Sequence, residues 1–311
     1  HEASETLPDA DIIIHPRVPE GHYPFGELAG VGVAFKLAHA LLGDVPEELF
    51  EYVAVGTIAD LVPLVGENRY LVKRGLKSLK ASANPWVHAL CQISGATQKE
   101  INEETVGFYF GPRLNAIGRL GDAMPGVEFL LSEDVETATI FAKQLNEKNQ
   151  ERKAIVDEIT KQAIEQIESN EQMKQALVHV IAGEGWNAGV VGIVASRLVE
   201  KYYRPTIVLA IDREKGIAKG SGRSIEGFHL FAELSKNREI LPHFGGHPMA
   251  AGMSLPKENL QLLRRQLNEN CTLTDDDMVE KISIDIAMPI QYISEAFINE
   301  LKVLEPFGNG N

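Results

Sequence analysis

Cysteine is scarce in this 311-residue sequence: only Cys91 and Cys271 occur, far apart and without the spacing of a zinc site. Neither a disulfide framework nor a thiolate metal centre is expected, and a reducing, cytoplasmic setting fits best. Long apolar runs are missing too, because none reaches the roughly eighteen residues that a membrane span requires. The chain also lacks a basic segment leading into an apolar one at its start, so neither a membrane span nor a secretory signal is expected. Cations are in deficit, with 30 Lys and Arg against 44 Asp and Glu, for a formal net charge of -14. That balance disfavours nucleic acid as a partner if charge acts globally. The deficit is uneven, however, since Gly183 to Gly252 holds nine Lys or Arg and seven Asp or Glu, a local net charge of +2.

With 44% hydrophobic and 24% charged residues, a chain of this length can bury more than one core. Asp11 to Pro16 reads as a short buried strand, and Gly30 to Leu42 as a helix stopped by Gly43. Phe50, Val53, Ala54, Thr57, Ile58 and Leu61 recur at helical spacing, so Glu48 to Leu61 is expected to be helical, as is Arg69 to Ala81. Ser132 to Gln175 lacks Gly and Pro and carries Ile155, Ile159, Ala163 and Ile167 in a narrow stripe. This stretch reads as a long helical connector between domains. Ala176–Ala182, Val190–Tyr203 and Pro205–Ala210 follow as strand, helix and strand, a βαβ unit whose ligands bind at strand carboxyl ends and helix N-termini. Met249–Leu255 and Pro256–Asn270 extend it with a further strand and helix.

Four stretches carry candidate chemistry. The octapeptide Gly245-Gly246-His247-Pro248-Met249-Ala250-Ala251-Gly252 sets one polar ring among residues small enough for a ligand's backbone to approach. It reads equally as a phosphate cradle or as a tight turn entering a strand. Asp60 sits at the C-terminal end of its helix, where a carboxylate opposes the macrodipole unless water or a cation compensates it. Between Gly111 and Gly121, Arg113, Asn115 and Arg119 interrupt what reads as a glycine-rich loop, a plausible anion site. Lys219 to Ser224 combines hydroxyls, glycines and the Arg223 fork.

Taken in order, these motifs resemble the RecJ family of single-strand-specific 5′ to 3′ exonucleases, within the DHH phosphoesterase superfamily, over nearly the whole chain. His1-Glu2 with Leu7-Pro8-Asp9-Ala10 looks like the end of the Asp-His-His signature, and Gly56-Thr57-Ile58-Ala59-Asp60 like the fourth phosphoesterase motif. Gly111 to Arg119 resembles the loop near the bound strand, and Gly245 to Gly252 the signature of the DHH-associated domain. Leu304 to Asn311 resembles the entry to an OB domain.

The resemblance implies an α/β fold of two α/β domains joined by a long helix. Residues 1–131 would be the C-terminal part of the phosphoesterase domain, 132–175 the connector, 176–274 the DHH-associated domain, and 275–311 a linker and the start of an OB-like module. It implies Asp60 as a metal ligand and His1 as a catalytic donor or general acid. The family's cofactor is Mn²⁺ or Mg²⁺, two ions about 3.5–4 Å apart that activate a bridging water. Arg113, Asn115, Arg119, Ser221, Arg223, Gly245, Gly246 and His247 would hold single-stranded DNA, with a helicase and a single-strand-binding protein as possible partners in repair and recombination. The family's first metal-ligand motifs lie upstream of His1, so this stretch is expected to be inactive alone. Two alternatives remain open at this point: a phosphodiesterase for short oligonucleotides or cyclic dinucleotides, and a noncatalytic scaffold that binds single-stranded DNA.

Overall fold

The computed structural model describes residues 7–19 and 21–311. The chain divides into two compact units, one running up to Asn149 and joined by Asp285–Asn311, the other Gln150–Ile284. The expectation for His1 lies outside the described residues.

The first unit is built on helices α1 (Gly30–Leu42), α2 (Leu49–Ala59), α3 (Gly66–Ala81), α4 (Pro85–Ser94), α5 (Gly111–Leu120) and α6 (Met124–Leu130). The start of α7 (Val135–Glu168) also contributes. Helix α2 is apolar on every side and therefore central: Phe50, Val53, Ala54, Val55, Thr57 and Ile58 are all buried. Helix α3 approaches it closely at Gly75, where a Cβ would lie 2.1 Å from the Phe50 carbonyl oxygen. The core continues through Trp86, Leu90, Phe110 and Phe129 to Ala138, Ala142 and Leu145 on α7.

Two expectations for this unit need correction. Asp11–His15 forms no strand: Ile12 is 79% and Ile14 53% exposed, and no neighbouring strand among the described residues pairs with them. Gly111 to Leu120 is a helix and not a glycine-rich loop. Pro112 suits the first turn, Ala116 and Ile117 are buried on one side, and Gly111 serves close packing. A Cβ there would come within 3.2 Å of both the Ala59 Cβ and the Val106 carbonyl oxygen.

The second unit begins within α7 and continues through α8 (Glu171–Lys174), β1 (His179–Glu184), α9 (Val191–Tyr202), β2 (Thr206–Asp212) and β3 (Ile217–Arg223). It closes with α10 (Leu230–Ser235), β4 (His243–His247), β5 (Ala250–Pro256) and α11 (Leu260–Glu269). The strands form one mixed sheet in the order β1-β2-β3-β5-β4. Only β1 and β2 pair in parallel, joined by the α9 crossover, while the remaining pairs are antiparallel. Ile207, Leu209, Ala218, Met253 and Leu255 share a core with Leu230 and Leu234 of α10 and Leu263 and Leu267 of α11. Helix α9 covers the opposite face beside β2 and β3.

Residues 285–311 contain α12 (Glu295–Leu301) and short 3₁₀ turns. Their last residues pack on the start of α3. The Arg69 guanidinium donates to the carbonyl oxygens of Val303 (3.3 Å), Glu305 (3.0 Å) and Pro306 (3.4 Å). The Leu64 amide donates to the Asn309 carbonyl oxygen at 2.8 Å. No helix among the described residues is long and apolar enough to cross a membrane.

Candidate functional site

Strand register assembles the second unit's polar residues on one sheet face. Side chains two residues apart share a face, and directly opposed residues of an antiparallel pair do as well. Arg223 opposes Ala250, which opposes His247; Ser221 opposes Gly252, which opposes Gly245; Lys219 opposes Ser254, which opposes His243. The face thus carries three lateral rows. Its middle row is bare beyond Ser221, because a Cβ on Gly245 or Gly252 would meet nothing within 4 Å. A cavity of about 670 Å³ includes Lys219, Arg238, His243, Gly245, Gly252 and Ser254.

The polar atoms around this floor are positioned by specific bonds. Arg223 Nη1 donates to Ser221 Oγ and to the Gly222 carbonyl oxygen, both at 2.8 Å, and Ser221 Oγ donates to the Ala251 carbonyl oxygen at 3.2 Å. The first turn of α9 stands beside them: a Cβ on Gly192 would lie 3.1 Å from Arg223 Nη2 and 3.3 Å from Ser221 Oγ. A helix N-terminus, a guanidinium fork and a hydroxyl in one place favour an anion. His247 Nδ1 accepts the Met249 amide at 3.3 Å, which sets the proton of the neutral ring on Nε2. Nε2 is then a donor. Gly246 makes the hairpin possible, with φ of 154° and an ideal Cβ position only 2.3 Å from the Ala250 carbonyl oxygen.

The first unit holds a second polar group. Asp60 caps the C-terminus of α2, is exposed, and donates its backbone N–H to the Gly56 carbonyl oxygen at 3.0 Å. The next residue, Leu61, has φ of 60° and turns the chain sharply. Because Gly111 seats the start of α5 against Ala59, the helix carrying Arg113, Asn115 and Arg119 begins beside this corner. Arg113 is half-buried, donating from Nε to Asn146 Oδ1 at 3.1 Å and from Nη1 to the Tyr109 carbonyl oxygen at 2.7 Å. Burial lowers its guanidinium pKa. Asn115 and Arg119 are exposed, as are Phe108 and Tyr109 in the π-helical turn just before α5.

A divalent cation needs six or more oxygen ligands, several of them from carboxylates or water. Asp60 supplies one carboxylate, and no group of three or more His, Cys, Asp or Glu among the described residues could hold an ion. The described residues therefore fit the role of one ligand and not that of a whole metal centre.

Sequence reasoning singled out Ser221, Arg223, Gly245 and His247, which one sheet face brings together, and Gly246, which belongs to the opposite face and shapes the hairpin. It missed His243 and Ser254, since cross-strand register is not written in any one segment. Trp186 is buried: its Nε1 donates to Gln162 Oε1 at 2.7 Å and its ring lies on Gly183.

Comparison with known proteins defines the class first: residues 173–272 match the DHHA1 domain. The chain is, more particularly, a homologue of the single-stranded-DNA-specific exonuclease RecJ. It is 51% identical to the RecJ of Bacillus subtilis (strain 168) over 310 residues, 99% of this chain and 39% of that protein. A crystal structure of RecJ from Thermus thermophilus in complex with Mn²⁺ superposes with a TM-score of 0.85 at 28% identity, covering 100% of this chain and 46% of that one. The corresponding Mg²⁺ complex gives a TM-score of 0.80 at 30% identity over 91% of this chain and 44% of that one. The chain thus spans less than two thirds of the length of these relatives.

Proposed function

We propose that this chain is the strand-holding part of a metal-dependent 5′ to 3′ exonuclease acting on single-stranded DNA. The observation that carries the reading is the glycine floor of the second unit, flanked by Arg223 and His247 on one side and Lys219 and His243 on the other. A single strand offers one line of phosphates and unstacked bases, which suits a bare floor edged by donors. Arg223 and the α9 N-terminus take a phosphate, His247 Nε2 donates to a neighbouring oxygen, and Ser221 orients the guanidinium. On the first unit, Arg113, Asn115 and Arg119 are assigned to further phosphates, with Phe108 and Tyr109 as stacking surfaces.

The likeness to RecJ supports a divalent metal in the reaction, Mn²⁺ or Mg²⁺, with Asp60 as one ligand. When bound, such ions activate water and stabilise the leaving oxygen. In this reading residues 1–131 belong to the phosphoesterase domain and 275–311 lead into an OB-like module, while repair is the process served. Because Asp60 stands without companion ligands among the described residues, the chain by itself binds DNA without cleaving it.

Fluorescence anisotropy with a 5′-phosphorylated single-stranded oligonucleotide tests the reading. The chain is expected to bind it in preference to the duplex, and Arg223→Ala to weaken binding about tenfold, the loss of a charge-assisted fork. Equal affinity for duplex, or no effect of Arg223→Ala, would overturn the interface. Robust Mn²⁺-dependent release of mononucleotides by this chain would overturn its assignment as a binding part only.

A further inference from the structure

Arg113 is assigned above to a phosphate, and the first-unit part of α7 supplies the group that holds it. Ala138, Ala142 and Leu145 form the buried stripe of that stretch, and Asn146 stands one turn on from Ala142 at the edge of the stripe, half-buried. Asparagine is a poor helix former, so helix formation does not account for its place. Its amide oxygen has one partner, the Arg113 guanidinium.

A guanidinium carries five N–H groups and no acceptor, so the amide oxygen of Asn146 faces Nε and its NH2 group points away. Arg113 Nε donates to Asn146 Oδ1 at 3.1 Å and Nη1 to the Tyr109 carbonyl oxygen at 2.7 Å, and among the described residues the side chain makes no other hydrogen bond or ion pair. Two anchors fix the position and the plane of the fork. Nη2 is the one nitrogen left wholly unused, and the edge at Nε is closed, so an incoming oxyanion meets the guanidinium through Nη2.

Both anchors are neutral. A carboxylate, such as Arg74 has in Glu47 and Arg197 in Asp157, holds a guanidinium more strongly but cancels its charge. Burial lowers the pKa of Arg113, and no acidic group offsets that effect. A partly desolvated cation attracts an anion more strongly than an exposed one, and a side chain already fixed loses less freedom when the anion arrives.

We propose that Asn146 is a positioning residue: it orients the Arg113 guanidinium without neutralising it, so that Nη2 meets a phosphate of the bound single strand. The inference rests on the nuclease reading and adds to it a residue that acts through Arg113.

Fluorescence anisotropy of the 311-residue chain with a 5′-phosphorylated single-stranded oligonucleotide, read at several salt concentrations, tests it. Arg113→Ala should weaken binding about tenfold. Asn146→Ala should weaken it about threefold with an unchanged salt slope, because the cation stays but is no longer held. In the Arg113→Ala background the same change should matter less than about twofold. Asn146→Asp separates positioning from mere support. It keeps an acceptor for Nε, so exchange of the Arg113 Nε–H, followed by NMR, should quicken in the Ala variant and stay slow in the Asp variant. It also cancels the charge, so binding should fall about tenfold, with a slope of log K against log salt shallower by about 0.7, the share of one phosphate. Native affinity in Asn146→Asp, or an Asn146→Ala effect equally large without Arg113, would show that the bond only supports the helices and would overturn the proposal. An inert Arg113→Ala would instead remove the nuclease reading of this arginine, and the proposal with it.

Discussion

Gly246 shows how one residue sets the geometry of the glycine floor. Its φ of 154° and the 2.3 Å approach of the Ala250 carbonyl oxygen leave no place for a side chain. Gly246→Ala should therefore destabilise the second unit by about 1–3 kcal/mol, through strain alone, and weaken oligonucleotide binding by displacing His247. Urea unfolding and anisotropy on the same variant check both. His179 makes a prediction about pH. Burial first, and then the Arg204 cation, lower its pKa from 6.5 to about 4, against weaker raising effects from the Met173 carbonyl and Glu168, while Tyr202 packs edge-on at 5.2 Å. The folded state thus prefers the neutral ring. Its contribution is fully present above pH 6.5 and is lost as the pH falls toward 4, because the unfolded chain takes up the proton first. The span is up to about 3 kcal/mol. Replacing His179 with Gln should flatten the stability profile in that window, measured as the difference between the two proteins' urea midpoints from pH 7 to pH 4.

At the scale of elements, the corner after Asp60 is held from two directions. Gly111 seats α5 against Ala59 on one side. On the other, Arg69 grips three carbonyl oxygens of residues 303–306, Asn309 exchanges bonds with Leu61 and Leu64, and the Phe307 amide donates to Glu103 Oε1 at 2.9 Å. Arg69→Ala removes a charged donor from three acceptors and should cost about 1–3 kcal/mol. Hydrogen exchange should quicken at both Leu64 and Phe307, since these amides belong to the same clamp; acceleration confined to 303–309 would show that the corner holds itself. Local sequence holds no hint of this clamp, because its partners lie more than 200 residues apart. By contrast, the alternation Lys219, Ser221, Arg223 is legible as polar chemistry before any strand is seen. The misreading of Gly111 to Gly121 has a plain cause. Glycine's freedom suggests a loop, whereas at Gly111 the requirement is smallness beneath a neighbouring helix.

For the whole molecule, net charge and local charge point in different directions. A chain of net charge -14 repels DNA at long range, so the proposed DNA binding would come from short-range contacts on locally basic ground. Composition by itself hides this, and the Gly183–Gly252 segment discloses it. The return of Asp285–Asn311 to the first unit is not legible in the sequence, since no periodicity reports a long-range pairing. The two units have separate buried clusters, among them one around Leu79, Leu90 and Phe110 in the first and one around Ile207, Leu209 and Leu263 in the second. Each is large enough to unfold cooperatively, and a single two-state transition is then not the expectation. Calorimetry should resolve two overlapping transitions. Arg69→Ala should lower the midpoint of one and Gly246→Ala that of the other, because the substituted residues pack in different units. If both variants shift a single common transition by similar amounts, the two cores fold as one cooperative body and the division fails as a description of stability.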